Sequence, residues 1–374
     1  MKKMKKRQIG TLSLNINTDD FNYGAVLHSW AFQQYLQNKL NEDVEIINYV
    51  TPRLEKNDRK NPLKNAIRKR KIKSIIKSLI TYRPYKKRYE KFEKFIKSNM
   101  KISDKQYTQK KLEKENLKYD ILICESDVIW SAGFFGGKFD KTFFLALENM
   151  KEKRRIAYAP SMADGDLNDE QKTDLKQLLT NLDYISCRES YEKDILSRYT
   201  NKAITHVMDP VLLLNEEDYN QIIGNKINEN KYLLIYLPVD NNKKLRKIAR
   251  KYAKEHNLKI IEISTKLIKS FRTKTLTEAG VEEFLSAIKY ADVIFTNSFH
   301  AICFSIIFNK EFYAFSRKSN GKVRDICKTM KLENRFLKDD DFHELEPINY
   351  NEINKILKRQ KEISQDWIKK AIEN

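Results

Sequence analysis

Short apolar runs, each ending in polar residues and separated by stretches of helical periodicity, recur along this chain and constrain its fold more than any other feature. The first, Gln8–Leu14, is followed by a polar stretch reaching Asn22-Tyr23-Gly24. From Ala25 onward, Val26, Leu27, Trp30, Ala31, Tyr35 and Leu36 recur at three- and four-residue spacing, as on a helix with one buried face. Val44–Tyr49 then reads as a second strand. A strand, loop, helix and strand in that order form the unit of a parallel sheet. Tyr119–Cys124, Arg155–Ala159 and Tyr184–Arg188 extend the series, and a second one, Tyr232–Leu237, Lys259–Ile263 and Asp292–Thr296, begins after Asp209-Pro210. The expected fold is therefore α/β, with two Rossmann-like domains in a GT-B-like arrangement: residues 1–205, then residues 206–374 with a C-terminal helix. A hinge near 209–230 would leave a cleft between the carboxyl ends of the two sheets, where such folds build their sites.

One segment breaks the rhythm. Residues 53–118 hold 24 Lys and Arg against 7 Asp and Glu, most of the chain's net charge of +21, and read as a basic helical insertion in the first domain. Leu63, Ile67, Ile75, Ile76, Leu79 and Ile80 form one apolar stripe among lysines; Tyr89, Phe92, Phe95 and Ile96 form another after Arg83-Pro84, giving two amphipathic helices split by the proline. Charge so localised fits an anionic surface better than a nucleic-acid track along the whole molecule. The stripe reads either as a peripheral membrane contact or as packing against the first domain. No apolar run reaches the ~18 residues of a membrane span. The Lys-rich start lacks the apolar core of a signal peptide. The expected location is cytosolic, with peripheral contact at the inner membrane face as the extension of that reading. Cys124, Cys187, Cys303 and Cys327 lack metal-ligand spacing and read as buried free thiols, with neither disulfide nor structural metal expected.

Candidate chemistry sits where runs end. Asn22 and Gly24 open the first helix, where free amides suit an anion, though an ordinary turn explains them equally. Ser126 and Asp127 follow a buried strand; a capping role competes with a site role. Arg188 ends another strand and can grip either Glu189 or a ligand phosphate or carboxylate. Ser298 and His300 open a helix that is apolar nearly all round, so its amino end should face the cleft with an imidazole fit for acid–base work. His28, His206, His256 and His343 lack such a setting.

Taken in order, Asn22-Tyr23-Gly24-Ala25-Val26-Leu27, Glu125-Ser126-Asp127-Val128-Ile129-Trp130, Tyr158-Ala159-Pro160-Ser161, Ile185-Ser186-Cys187-Arg188-Glu189, Asp209-Pro210-Val211 and Thr296-Asn297-Ser298-Phe299-His300 resemble the polysaccharide pyruvyl transferase family. The resemblance implies a transferase without metal or cofactor that uses phosphoenolpyruvate as donor. Its acceptor would be a sugar of a surface polysaccharide or its precursor, such as a lipid- or nucleotide-linked intermediate. It further implies Arg188 and His300 as donor contacts, with His300 catalytic, and Arg317, Lys318 and Lys322 as additional phosphate contacts. Glu125 replaces the Gly usual before Ser-Asp, and Ala301 the Gly common after the His, so added bulk is expected at the donor pocket. Two other readings stand beside this one: a GT-B-like glycosyltransferase using a nucleotide sugar, and a non-enzymatic protein that binds anionic surfaces through its basic helices.

Overall fold

The structure, a computed structural model of the chain, describes residues 6–18, 21–55, 60–68, 72–163, 166–238, 243–264, 267, 273–315, 321–337 and 342–374. Among the described residues twelve strands form two sheets, all pairings parallel. The first contains β1 (Gln8–Leu12), β2 (Asp43–Ile46), β3 (Ile121–Glu125), β4 (Arg154–Tyr158), β5 (Tyr184–Cys187) and β6 (Ile204–His206), in spatial order β2-β1-β3-β4-β5-β6. The second contains β7 (Tyr232–Tyr236), β8 (Lys259–Ile263), β9 (Lys274–Leu276), β10 (Val293–Thr296), β11 (Glu311–Phe315) and β12 (Phe336–Leu337), in order β12-β11-β10-β7-β8-β9. These are the two Rossmann-like domains the alternating runs demand. Central strands are buried throughout, as in Ile121–Glu125 and Tyr232–Tyr236, because helices cover both faces of a parallel sheet.

The chain runs from the first sheet to the second between His206 and Tyr232 and finally comes back. The last helix, Tyr350–Glu373, starts against the second domain, where Tyr350 Oη donates to the Lys310 carbonyl, and ends on the first. There the Met208 amide donates to Ser364 Oγ at 2.9 Å, Trp367 lies by Tyr158, and Arg7 and Arg154 both donate to the Ile372 carbonyl. The helix that the sequence assigns to the second unit thus also covers the first.

The basic insertion departs from its reading at the proline. Helix Ile72–Asn99 runs continuously through Pro84 instead of dividing there. Proline removes one amide donor and crowds the carbonyl four residues back, but that carbonyl belongs to Ile80, a largely exposed residue, so water can satisfy it. The second half of this helix buries Phe92, Phe95 and Ile96. It also clamps the domains together: Arg88 donates to the Leu276 carbonyl at 3.1 Å, and Lys91 pairs with Glu283. All four cysteines are buried. Among the described residues no helix is long and apolar enough to cross a membrane.

Candidate active site

Loops from both domains meet at Asp209, a fully buried carboxylate just beyond β6. Ser126 Oγ donates to its Oδ2 at 2.7 Å, Arg188 Nη1 donates to the same oxygen at 3.2 Å, and His300 Nε2 stands 3.7 Å away. Burial alone would push this carboxyl up. The His300, Arg188 and His28 side chains outweigh it and hold Asp209 well below the usual range.

Of the alternatives left open by the sequence, the structure shows Arg188 gripping carboxylates of its own chain. Its Nε donates to Glu189 Oε1 at 2.8 Å, and its guanidinium lies 4.5 Å over the Phe299 ring. Its Nη2, buried, has no hydrogen-bond partner among the described residues. Glu192, nearby and fully buried, accepts from the Met162 amide, and burial together with Glu189 raises its carboxyl far above the ordinary value.

The first turns of two helices come together beside this cluster, at Gly24 and His300. Asn22 caps helix Tyr23–Gln34 by accepting from the Ala25 amide at 3.1 Å; Ser298 caps helix Phe299–Ile307 by accepting from the Ala301 amide at 3.3 Å. The first amides of each remain without intrahelical acceptors, and each end carries partial positive charge. Gly24 is required here because a Cβ at this position would overlap the His300 ring. Tyr23 sits on the seam between domains, stacked on Phe284 with centroids 4.4 Å apart and donating to the Ala279 carbonyl.

Ser126 (φ 49°) and Asp127 (φ 54°) are consecutive left-handed residues at the end of β3, and Ala159 (φ 53°) repeats the conformation at the end of β4. Non-glycine residues adopt it at a cost of about 1–3 kcal/mol each and gather where a site demands a particular backbone path. No helix follows Asp127, so it caps none; its Oδ1 accepts from the adjacent Val128 amide. Burial would raise its carboxyl, but His28, Lys322, Arg188 and His300 hold it below the usual value. Lys322, half-buried at the start of helix Gly321–Thr329, has its own proton affinity lowered, first by burial and then by Arg188. Arg317 and Lys318 lie outside the described residues. Of the other sequence-derived candidates, Arg188, His300, Ser126, Asp127, Gly24 and Lys322 gather here, while Asn22 and Ser298 act as helix caps at its edge.

Two expectations need correction. His28, set aside from the sequence, is part of the cluster: one turn after Gly24 on the same helix face, it lies with its ring centroid 6.1 Å from that of His300. The bulk of Glu125 is directed away from Asp209. Its carboxylate turns back to the first helix, where His28 Nδ1 bonds Oε2 at 2.8 Å and Ser29 donates to Oε1. Burial would strip His28 of its proton, but the charge and hydrogen bond of Glu125 overcome it and raise His28 to about 9. His300 goes the other way. Burial dominates the carboxylates of Asp209 and Asp127, and the charge of His28 adds to it, so His300 is pulled below its ordinary value. The cluster therefore pairs a charged imidazolium with a neutral imidazole at pH 7.

Asp209 is not among the site residues expected from the sequence, although it opens the Asp209-Pro210-Val211 motif that carries part of the family resemblance, and that motif is the available signal. Among the described residues no group of three His, Cys, Asp or Glu side chains is placed to hold a metal ion.

The sequence of residues 22–319 matches the family described as polysaccharide pyruvyl transferase. Comparison with curated proteins gave no match. Among solved structures, the UDP-GlcNAc 2-epimerase of Methanocaldococcus jannaschii is 14% identical, with 94% of this chain and 91% of that one covered at a TM-score of 0.46. MurG of Acinetobacter baumannii is 9% identical over 97% of this chain and 99% of its own, at a TM-score of 0.42. The E. coli heptosyltransferase WaaC, solved with ADP, is 7% identical over 94% and 99%, at 0.40.

Proposed function

Because this chain belongs to the polysaccharide pyruvyl transferase family, we propose that it transfers the pyruvyl group of phosphoenolpyruvate to two hydroxyls of a sugar in a surface polysaccharide or its precursor, forming a ketal. One observation carries the reading beyond the family. Arg188 Nη2 and His300 Nε2, both buried and without hydrogen-bond partners among the described residues, stand in one cluster with two neighbouring helix amino ends. Phosphoenolpyruvate brings a phosphate and a carboxylate, and a cation with oriented amides is the chemistry that holds such groups.

The reaction needs a proton on the methylene carbon, which leaves the adjoining carbon oxocarbenium-like. A sugar hydroxyl adds there, phosphate departs, and a second hydroxyl closes the ketal. Of the two hydroxyl protons, one replaces the proton given to carbon and the other leaves with phosphate. His300 is the proton giver in this reading. It is neutral in the free protein, and an arriving phosphate would raise its proton affinity while Asp209, held ionised, steadies the imidazolium. Asp127, likewise ionised, is the carboxylate available to take the acceptor's proton. Ser126 and Arg188 fix Asp209 from two sides.

The test is incubation with millimolar phosphoenolpyruvate and, in parallel, with nucleotide sugars. A rise in melting temperature with phosphoenolpyruvate, and phosphate release once a sugar acceptor is added, supports the proposal. A rise with a nucleotide sugar only would transfer the reading to a glycosyltransferase.

A further inference from the structure

The first half of helix Ile72–Asn99 is built unlike the second. Phe92, Phe95 and Ile96 anchor the second half in the core, whereas Ile72 and Ile80 are 74% and 70% exposed, with Ile76 and Leu79 more than half exposed between them. Positions 72, 76, 79 and 80 share one helical face, so these aliphatic chains form a continuous row presented to solvent. Ile67, on the preceding helix Pro62–Arg68, is also exposed. Six of the eight large apolar side chains exposed among the described residues fall between Ile67 and Tyr82.

Charge surrounds the row. Residues 61–89 contain eleven Lys and Arg and no Asp or Glu. Lys64, Arg68, Lys73, Lys77, Arg83 and Lys86 are exposed. A groove of about 840 Å³ is lined by Leu79, Ile80, Tyr82 and Pro84 of the same arm together with Thr277 and Glu278 of the second domain.

We propose that the arm formed by residues 61–68 and 72–89 docks this protein on an anionic bilayer, the row of Ile72, Ile76, Leu79 and Ile80 entering the headgroup boundary while the flanking cations pair with lipid phosphates. An apolar row with cations on its flanks is the pattern of helices that lie in a membrane interface, and basic residues gain from the negative surface potential there. A second copy of the chain is a poor occupant, since two arms without a single carboxylate repel each other. The face has aliphatic chains at its centre where a nucleic-acid surface would carry stacking rings. Docking goes beyond the donor chemistry and does not rest on it.

Vesicle flotation of the full chain tests it, with phosphatidylcholine alone and with phosphatidylglycerol added, at low and physiological salt. Two variants accompany the parent: Ile72→Ser with Ile76→Ser, Leu79→Ser and Ile80→Ser, and Lys73→Glu with Lys77→Glu. All these positions are exposed, and an unchanged melting temperature confirms the fold. The expected result is binding to anionic vesicles that weakens with salt and falls at least ~10-fold in either variant. The proposal is overturned by absence of flotation, by equal binding to neutral vesicles, by parental binding in the apolar variant, by concentration-dependent dimerisation that the apolar variant abolishes, or by a labelled DNA duplex competing fully with the vesicles. No donor or acceptor is present in this assay, so its outcome is separate from that of the phosphoenolpyruvate test.

Discussion

Glu125→Gln isolates a single charge at the heart of the site. The replacement keeps the size of the side chain and leaves an acceptor for His28 and Ser29 but removes the negative charge. His28 is fully buried and is raised from 6.5 to about 9, with burial opposing and Glu125 prevailing. Each tenfold change in proton affinity is about 1.4 kcal/mol, so the raised affinity of His28 represents roughly 3 kcal/mol, offset in part because burial raises the carboxyl of Glu125 and makes its ionised form costly. The sign of the His28 contribution follows from the folded value lying above the unfolded one. The contribution is complete below about pH 6.5, declines as pH rises, and is gone once pH passes through about 9. Without the charge of Glu125, only the weaker attraction of Asp127 and Asp209 opposes burial, so the proton affinity of His28 falls and the variant loses stability as acid forces a proton onto a buried ring. The parent and Glu125→Gln should therefore differ most near pH 6 and converge near pH 9.5. Melting temperatures across that range measure the gap, expected to be several degrees at the acid end. A gap that stays constant with pH would refute the charge argument and reduce Glu125 to a shape-filling neighbour of Ser29.

His300→Asn should keep the fold and most donor binding while turnover of a verified acceptor falls ~10²-fold or more, as for loss of a general acid; parental turnover would assign the proton elsewhere. Arg188→Lys should weaken phosphoenolpyruvate binding by at least ~10-fold in calorimetric titration, since one ammonium cannot serve Glu189, Asp209 and a ligand from three directions; unchanged affinity would leave Arg188 purely structural. Gly24→Ala should displace the His300 ring and lower turnover by up to ~10²-fold with little loss of donor affinity, and an unshifted His300 resonance in NMR would contradict the overlap of a Cβ at position 24 with that ring.

The alternation of apolar runs was enough to place the central strands, because a strand buried on both faces must be apolar along its length. The edge strands β6, β9 and β12 are two or three residues long and carry no such run. Strand ends were legible as site positions for Ser126, Arg188 and His300, since a parallel sheet collects its loops at one end. Direction was not legible. Glu125 and Ser126 are neighbours, yet one turns back to the first helix and the other to Asp209, through a left-handed backbone that no local residue preference announces. His28 was overlooked for a related reason: helix Tyr23–Gln34 is buried almost all round, so apolar periodicity could not tell which face meets the cleft. Pro84 misled because its cost depends on whether the orphaned carbonyl meets water, which is a matter of tertiary exposure.

The return of helix Tyr350–Glu373 to the first domain also sets an order of events during synthesis. Ser364, Trp367 and the Ile372 carbonyl complete the surroundings of Met208, Tyr158, Arg7 and Arg154, yet they emerge only after every strand of the second sheet has been made. The amino-terminal sheet, although translated first, waits for its last cover. At ~5–20 residues per second this delay is several seconds or more, during which the partly finished half exposes apolar surface to chaperones. The half that is made first is thus finished last.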